Sequence, residues 1–374
     1  MPSPEAASTD FPPLDFVRRR RNAQAGLVAG GIEALVAPIS ADLQFLTGLA
    51  LKKGDRPIFL VLPRDGDPAL VCPRFERERL AAQFEPLAIQ TYTEGEDSFT
   101  RLQAILPAQG KVALAEKAWF SEAESLAAAL PSATLVSAAP VLGPLRWRKG
   151  EPELARLRHA ALTWQRVLAD VLIGVEPGVR GAQIKEQIVV QLTAAGGSAP
   201  SCTVNIGAAS ALPHGGRSDE PLTKGDVLLI DGGIAWDGYR SDITRTYAFG
   251  SPSDEVLTLL ETVLAAEAAG IAAVKPGAAA ESIDAAARRV ISDAGYGAAF
   301  THRVGHGLGL EGKEPPYLAA GNPQLLEPGM VITIEPGIYL PGKFGVRIED
   351  DIVVSESGSE PLSAGVHSVD ELFL

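Results

Sequence analysis

The chain has 374 residues, of which 46% are apolar and 21% are charged. This length and apolar fraction predict two globular domains, each with its own core, and exclude a solvated disordered polymer. The 46 Asp and Glu residues outnumber the 33 Lys and Arg residues, giving a net charge of −13. That charge argues against a nucleic-acid partner, because a negative surface repels phosphates.

The sequence also argues against export and membrane insertion. It contains no run of 18 consecutive apolar residues, so it predicts no transmembrane helix. Residues 1–13 lack the charged and apolar regions of a secretory signal. The two cysteines, Cys72 and Cys202, are too few for a disulfide framework or a thiolate metal site. We therefore expect a soluble cytoplasmic protein that has no membrane partner.

The N-terminal part, from Phe16 to about Ala139, alternates apolar runs with segments rich in Ala and Leu. Apolar runs that end in Pro or polar turns predict buried strands at residues 34–37, 58–62 and 69–72. The predicted helices include residues 75–84 and 121–130. This alternation predicts an α/β domain.

The segment 143–152 is rich in turn residues and predicts a linker, so we place two domains at residues 1–147 and 148–374. The helices predicted beyond it are 153–173, 181–195, 254–274 and 280–294. The predicted strands are 226–230, 243–249, 331–334 and 346–354. The strand–loop–strand units 227–249 and 331–354 each carry an acid at the end of the first strand and resemble an internal repeat.

The first of these units places two acids at apolar strands, where burial does not stabilise a carboxylate. Asp231 ends a fully apolar run, and the Asp237-Gly238 dipeptide predicts a two-residue hairpin turn. That turn sets Asp231 opposite Thr244 and Gly233 opposite Asp242. Asp231 and Asp242 then lie diagonally on one face, where they need either a shared proton or a cation.

The second unit repeats the pattern. Glu335 ends the predicted strand 331–334, and Glu349 interrupts the predicted strand 346–354. His306 stands between two glycines, and His214 lies in an exposed Pro-His-Gly-Gly turn suited to moving protons. Taken singly, each residue is explained equally well as a turn, loop or surface group. Taken together, four acids at apolar strands favour divalent cations, and oxygen-rich ligation favours an ion such as Mn²⁺.

Four motifs carry a family resemblance: DGG…GYRSDITRT, HRVGHGLGLE, IEPGIY and GVRIEDDI. Together they resemble the pita-bread metallopeptidases, the group of aminopeptidase P, prolidase and methionine aminopeptidase. The segments LQFLTGLA and RPIFLVLP resemble the creatinase-like N-terminal domain of aminopeptidase P and prolidase, which methionine aminopeptidases generally lack. The resemblance implies an α/β N-terminal creatinase-like domain followed by an α+β pita-bread catalytic domain.

The resemblance also implies roles for individual residues. The ligands of two divalent ions, Mn²⁺ or alternatively Co²⁺ or Zn²⁺, would be Asp231, Asp242, His306, Glu335 and Glu349. Glu335 would also act as the general base. His214 would assist the leaving amine or the oxyanion, and His302 would line the pocket on the leaving side. Arg347 would lie near the site, although an ion pair with Asp350 or Asp351 explains it equally simply.

The sequence departs from the family at Lys313, which stands where the GLExHE pattern has a histidine. A lysine is a flexible point charge and cannot act as a neutral imidazole acceptor. We expect Lys313 either to bind the free carboxylate of a short substrate or simply to face solvent. A carboxylate-binding role would favour dipeptides that end in proline.

The resemblance implies hydrolysis of the Xaa-Pro bond in short proline-containing peptides, by a homodimeric enzyme. We expect a prolidase, which cleaves Xaa-Pro dipeptides. One alternative is an Xaa-Pro aminopeptidase that acts on longer peptides. A second is a non-peptidase relative, either creatinase-like or a binding module, although such relatives characteristically lose the metal ligands.

Overall fold

The computed structural model describes residues 11–83, 87–213, 215–216 and 220–374. The chain divides into two compact units. Pro13–Arg146 forms the N-terminal unit, and Trp147–Leu374 forms the C-terminal unit together with Phe11 and Pro12. The domain boundary that we placed between residues 147 and 148 stays a prediction.

The N-terminal unit is built on one six-stranded mixed sheet. Its strands are β1 (Ile32–Pro38), β2 (Phe59–Pro63), β3 (Ala69–Pro73), β4 (Ala88–Tyr92), β5 (Gly110–Leu114) and β6 (Ala133–Ser137). They lie in the order β4-β3-β2-β1-β5-β6, and β2 runs antiparallel to both of its neighbours. Val36, Phe59 and Val112 lie in its buried core. The predicted α/β architecture and the three predicted strands are confirmed.

Helices precede, follow or connect these strands along the chain, except that β3 follows β2 without a helix between them. They are α1 (Phe16–Gly30), α2 (Ala41–Thr47), α3 (Arg77–Ala81), α4 (Ser98–Ile105), α5 (Phe120–Ala129) and α6 (Ala139–Trp147). The predicted linker 143–152 is therefore wrong over its first half, because α6 continues through Pro144 to Trp147. Only residues 148–150 separate α6 from the next helix.

The C-terminal unit carries four longer helices. They are α7 (Glu151–Leu172), α8 (Gly181–Ala194), α9 (Asp254–Ala273) and α10 (Ala280–Asp293). All four lie within two residues of their predicted bounds, because their apolar periodicity and turn signals are strong. Short 3₁₀ turns occur in this unit at Gly207–Ala211, Gly297–Ala299 and Val369–Leu372, and in the N-terminal unit at Arg74–Glu76.

Helix α9 is long and apolar enough to cross a membrane by length and composition alone. In the structure, Leu259, Leu260 and Val263 are fully buried in the main hydrophobic core of the unit. Glu267 on the same helix is also buried. A face of α9 thus packs into the core of the unit.

The first sheet of the C-terminal unit contains β7 (Ser198–Ile206), β8 (Val227–Trp236), β9 (Tyr239–Arg240) and β10 (Ile243–Ala248). Its order is β10-β8-β7, and β9 extends the hairpin beside β8. Strand β8 continues through Asp231 to Trp236, so the prediction that Asp231 ends its strand is wrong. The carboxylate therefore projects from the middle of an antiparallel ladder.

The second sheet contains β11 (Gly305–Gly307), β12 (Glu314–Leu318), β13 (Val331–Ile334), β16 (Asp350–Val354) and β17 (Ser359–Pro361). A separate hairpin is formed by β14 (Gly337–Leu340) and β15 (Phe344–Arg347). The single strand predicted over 346–354 is therefore wrong: it is two strands in different sheets, with Glu349 in the break. A bridge between Thr244 and Glu349 links β10 to that break.

Candidate metal centre

The hairpin β8–β10 brings Asp231 and Asp242 to the site. Asp231 pairs with Thr244 and Gly232 with Ile243, which confirms the register predicted from the Asp237-Gly238 turn. A Cβ atom on Gly233 would lie 1.8 Å from the carbonyl oxygen of Ser241. Only glycine permits this close approach, which leaves Asp242 beside the break between β15 and β16.

Glu335 and Glu349 are held by backbone hydrogen bonds to other segments. The Glu335 amide directly after β13 donates to the carbonyl oxygen of Val304 at 2.7 Å. The Glu349 amide donates to the carbonyl oxygen of Thr244 at 3.0 Å. Each acid is thereby fixed against a strand or loop that carries another candidate ligand.

His306 is completely buried in the centre of β11. A Cβ atom on Gly305 would lie 1.9 Å from the carbonyl oxygen of Thr333, so glycine beside the histidine permits a close backbone approach. His306 Nδ1 lies 3.1 Å from the carbonyl oxygen of Gly307 and must donate to it. His306 Nε2 is therefore left with a free lone pair in the neutral ring.

That lone pair faces carboxylates. His306 Nε2 lies 3.4 Å from Glu335 Oε1 and 3.7 Å from Asp242 Oδ2. One ligand atom each from Asp242, His306 and Glu349 lies within 4.8 Å of the others. Among the residues that the structure describes, His306 Nε2 and Glu349 Oε1 are buried without a hydrogen-bond partner. Two orphaned acceptors aimed into one cluster fit a bound cation, since each would otherwise carry an uncompensated desolvation cost.

The electrostatics agree with this fit. Burial raises the pKa of Asp242 and of Glu349 well above their ordinary values, and the neighbouring carboxylates raise both further. Burial also raises the pKa of Glu335 to about 7 and lowers that of His306 to about 3. Without a cation these shifts favour the protonated acids, whereas a divalent ion stabilises the deprotonated forms.

Asp231 reaches the cluster together with Arg347. Arg347 Nη2 donates to Asp231 Oδ2 at 2.7 Å, and Arg347 Nε donates to Thr244 Oγ1 at 3.1 Å. The Thr244 hydroxyl in turn donates to Glu349 Oε2 at 2.6 Å. Asp350 is paired with Arg245 instead, so the alternative reading of Arg347 as the partner of Asp350 or Asp351 is wrong.

Two residues that sequence reasoning missed connect the predicted ones. Thr244 links Arg347 to Glu349 through its hydroxyl. Arg347 Nη1 donates to the Tyr339 hydroxyl at 2.9 Å, and this hydroxyl lies 2.9 Å from His302 Nε2. His302 Nδ1 must donate to the carbonyl oxygen of Arg303, at 2.8 Å, so Nε2 accepts from Tyr339. Both residues stand inside the quoted motifs, where an aromatic or a threonine in a strand is typical of ordinary core packing.

The cluster of candidate ligands borders a cavity of about 440 Å³. Its lining brings together most of the predicted site residues: Asp231, His302, Lys313, Glu335 and Arg347, with Pro213, Arg303 and Ala319. Lys313 is exposed and faces this cavity, so it does not simply point away into solvent. The predicted role of His214 lies outside the described residues.

Two sequence profiles match the chain. The profile of "Metallopeptidase family M24" matches residues 155–356, and that of the "Creatinase/Prolidase N-terminal domain" matches residues 19–147. The chain belongs to metallopeptidase family M24. The M24 domain holds all five predicted ligands, and its partner domain is the expected creatinase-like one.

Individual M24 relatives resemble the chain over almost its whole length. It is 37% identical over 364 residues to the "Probable dipeptidase PepE" of Mycobacterium tuberculosis, covering 95% of this chain and 96% of the relative. The structure of dipeptidase PepE from Mycobacterium ulcerans matches with a TM-score of 0.88 at 36% identity, covering 94% and 96% of the two chains. That of a prolidase from Thermococcus sibiricus matches with a TM-score of 0.90 at 31% identity, covering 97% and 100%.

Membership of family M24 confirms that the chain is a metallopeptidase with a creatinase-like N-terminal domain and a pita-bread catalytic domain. Family M24 chemistry uses divalent metal ions, and the group around His306 is suited to hold them. The non-peptidase alternative finds no support in these relatives.

Proposed function

We propose that this M24 peptidase hydrolyses Xaa-Pro dipeptides, using two divalent ions, most simply Mn²⁺. The proposed ligands are Asp231, Asp242, His306, Glu335 and Glu349. The observation that carries this proposal is the pair of orphaned buried acceptors, His306 Nε2 and Glu349 Oε1, within a cluster of carboxylates. The dipeptide preference draws on the names of the relatives, dipeptidase and prolidase.

The chain's own residues have distinct tasks in this reaction. Bound divalent ions supply Lewis acidity for water activation and for the developing oxyanion. Glu335 lines the cavity 3.4 Å from His306 Nε2 and is placed to accept a proton from the attacking water. Arg347 orients Asp231 through a 2.7 Å hydrogen bond and Thr244 orients Glu349, so neither carboxylate rotates freely.

The leaving side involves His302 and His214 in this proposal. The ring of His302 is fixed by Tyr339 on one nitrogen and by the Arg303 carbonyl on the other. Burial lowers the pKa of His302 to about 4, so the ring is neutral at physiological pH. It therefore acts by shape and hydrogen bonding beside the leaving residue, while His214 assists the amine.

The test is hydrolysis of Ala-Pro and Ala-Pro-Ala by Mn²⁺-loaded protein, measured as release of free alanine. We expect cleavage of Ala-Pro and little cleavage of Ala-Pro-Ala, with both lost in Asp242→Asn. Efficient cleavage of the tripeptide would instead show an Xaa-Pro aminopeptidase. No cleavage of either peptide by protein that contains metal would show that the proposed function is wrong.

We further propose that the enzyme is a cytoplasmic homodimer. The two free, buried cysteines support the location, because thiols stay reduced in the cytoplasm. Light scattering coupled to size exclusion tests the assembly directly. The expected mass is twice that of the 39.2 kDa chain, and a monomer mass would refute the dimer.

A further inference from the structure

A buried polar network contacts the backbone of two of the proposed metal ligands, Asp242 and Glu349. Its main members are Arg245 on β10 and Asp351 on β16, and both side chains are buried. In the described part of the chain, neither of them lines the cavity beside the ligands. Burying charged groups in this way costs free energy unless they have well-placed partners. The contacts of these two side chains therefore indicate what they do for the site.

Arg245 fixes the main chain at Glu349. Its Nη1 atom donates to the carbonyl oxygen of Glu349 at 2.7 Å and to that of Thr244 at 3.0 Å. Thr244 and Glu349 already form the bridge between β10 and the break before β16, because the Glu349 amide donates to the Thr244 carbonyl oxygen. Both the amide and the carbonyl group of Glu349 are therefore engaged, which limits movement of its backbone.

Asp351 fixes the main chain at Asp242. Asp351 Oδ2 accepts a hydrogen bond from the Asp242 amide at 3.2 Å. Asp242 lies between β9 and β10, next to Ile243, where the regular pairing of β10 with β8 begins. A carboxylate on the second sheet thus supplies the acceptor for an amide beside the first sheet. This contact ties the position of Asp242 to β16.

Two further residues join Arg245 and Asp351 into one network. Arg245 Nη2 donates to Asp350 Oδ1 at 2.7 Å, and the Ser363 hydroxyl donates to the same oxygen at 2.6 Å. Ser363 Oγ in turn accepts a hydrogen bond from the Asp351 amide at 3.3 Å. The backbones of the two proposed ligands are therefore held by one continuous set of buried hydrogen bonds.

Such a support bears on which ion the centre accepts. Ligand atoms of Asp242 and Glu349 lie within 4.8 Å of each other. A rigid pair of ligands disfavours an ion of the wrong size, and Ca²⁺ needs longer bonds and a more flexible site than smaller divalent ions. We propose that Arg245 and Asp351 are positioning residues that hold Asp242 and Glu349 at a fixed separation, so that the centre selects Mn²⁺ over Ca²⁺. This inference rests on the metal centre of the proposed function.

The experiment measures how much Ca²⁺ displaces bound Mn²⁺ from the protein. Released Mn²⁺ is counted by electron paramagnetic resonance, so the readout does not depend on peptide hydrolysis. Asp351→Ala removes the acceptor of the Asp242 amide and should lower the ratio of Mn²⁺ affinity to Ca²⁺ affinity by about tenfold. Asp351→Asn keeps an acceptor oxygen there and should retain the wild-type ratio, because any effect of the lost charge falls on both dications alike.

Arg245 is tested with a variant that keeps its charge. Arg245→Lys cannot reproduce the four hydrogen bonds of the guanidinium group and should also lower the ratio by about tenfold. The matched control is Arg156→Met, which removes a similarly buried arginine of the same unit that pairs with Asp237 and donates to the Pro152 carbonyl oxygen. This control should lower stability and leave the ratio unchanged, which separates ion selection from general destabilisation.

The outcomes distinguish this inference from the proposed function. A ratio that does not fall in Asp351→Ala and Arg245→Lys, including no displacement of Mn²⁺ by Ca²⁺ from either variant, would overturn the inference whether or not Ala-Pro is hydrolysed. An equal fall in Arg156→Met or in Asp351→Asn would also overturn it, since stability or charge would then explain the change. Wild-type protein that binds no Mn²⁺ would overturn both proposals. The expected shifts in a protein that binds Mn²⁺ but does not hydrolyse Ala-Pro would overturn the proposed function alone.

Discussion

Lys149→Met tests the buried ion pair that anchors the segment before β12. Lys149 Nζ and Glu314 Oε1 are 2.6 Å apart, and their side chains are only 1% and 2% exposed. Removing the ammonium group takes away the cation that lies 2.6 Å from this buried carboxylate, a change that typically costs about 3–5 kcal/mol of unfolding free energy. We expect a loss of this size in the C-terminal unit.

Urea unfolding followed by tryptophan fluorescence measures this loss, since three of the four tryptophans, Trp147, Trp164 and Trp236, lie in the C-terminal unit. The matched control is Lys343→Met, which breaks the exposed pair with Glu255 and should cost at most about 1 kcal/mol.

The double variant Lys149→Met/Glu314→Leu should recover most of the stability, because an apolar pair of similar volume replaces both charges. A cost for Lys149→Met no larger than that of Lys343→Met would refute the reasoning. It would mean that the buried carboxylate finds other compensation, or that the pair contributes nothing to the fold.

Three further predictions concern the metal centre. Thr244→Val should weaken metal binding by about 10- to 100-fold, because Glu349 loses its orienting hydroxyl, whereas Thr244→Ser should retain it; metal titration measures both. Gly233→Ala should destabilise the protein, since its Cβ would lie 1.8 Å from a carbonyl oxygen, while Gly312→Ala, with 3.8 Å of space, should leave the melting temperature unchanged. In chelator-treated protein, the unfolding free energy should fall between about pH 5 and pH 7, because folding raises the pKa of Glu335 to about 7 and the unfolded chain loses that proton earlier. Urea titrations at several pH values measure this slope, and a slope unchanged in Glu335→Gln would contradict the assignment.

Local chemistry made the first hairpin predictable. The Asp237-Gly238 turn fixes the register of the strands on either side of it. That register places Asp231 opposite Thr244. The long helices were equally accessible, since their apolar spacing extends over several turns. These features depend on neighbours in sequence.

The prediction of one continuous strand through Glu349 is wrong because of a contact that is distant in sequence. Apolar residues lie on both sides of Glu349 within 346–354, but the Glu349 amide donates to the carbonyl oxygen of Thr244, which is distant in sequence. This contact divides the segment between two sheets. The predicted linker failed for a related reason: Pro144 and Gly143 are typical of turns, yet α6 includes both.

The sequence predicts the acidic candidate ligands of the site but not the hydrogen bonds that connect them. Burying an unpaired acid within an apolar strand costs free energy, and this cost predicts a bound cation from the sequence alone. The hydroxyls of Thr244 and Tyr339 carry no such signal, because both residues are common in strands. Arg303 was missed because an arginine beside a loop histidine is typical of a solvated surface, and only the fold turns it into the cavity.

In the proposed function, five residues hold two catalytic metal ions. The most direct test is metal content by mass spectrometry after dialysis against Mn²⁺, with Ala-Pro hydrolysis measured on the same samples of wild type and Asp242→Asn. We predict two ions per wild-type chain, with both metal and hydrolysis lost in the variant. A wild-type chain that retains no more than one ion, or that hydrolyses Ala-Pro equally fast after complete chelation, would contradict the claim.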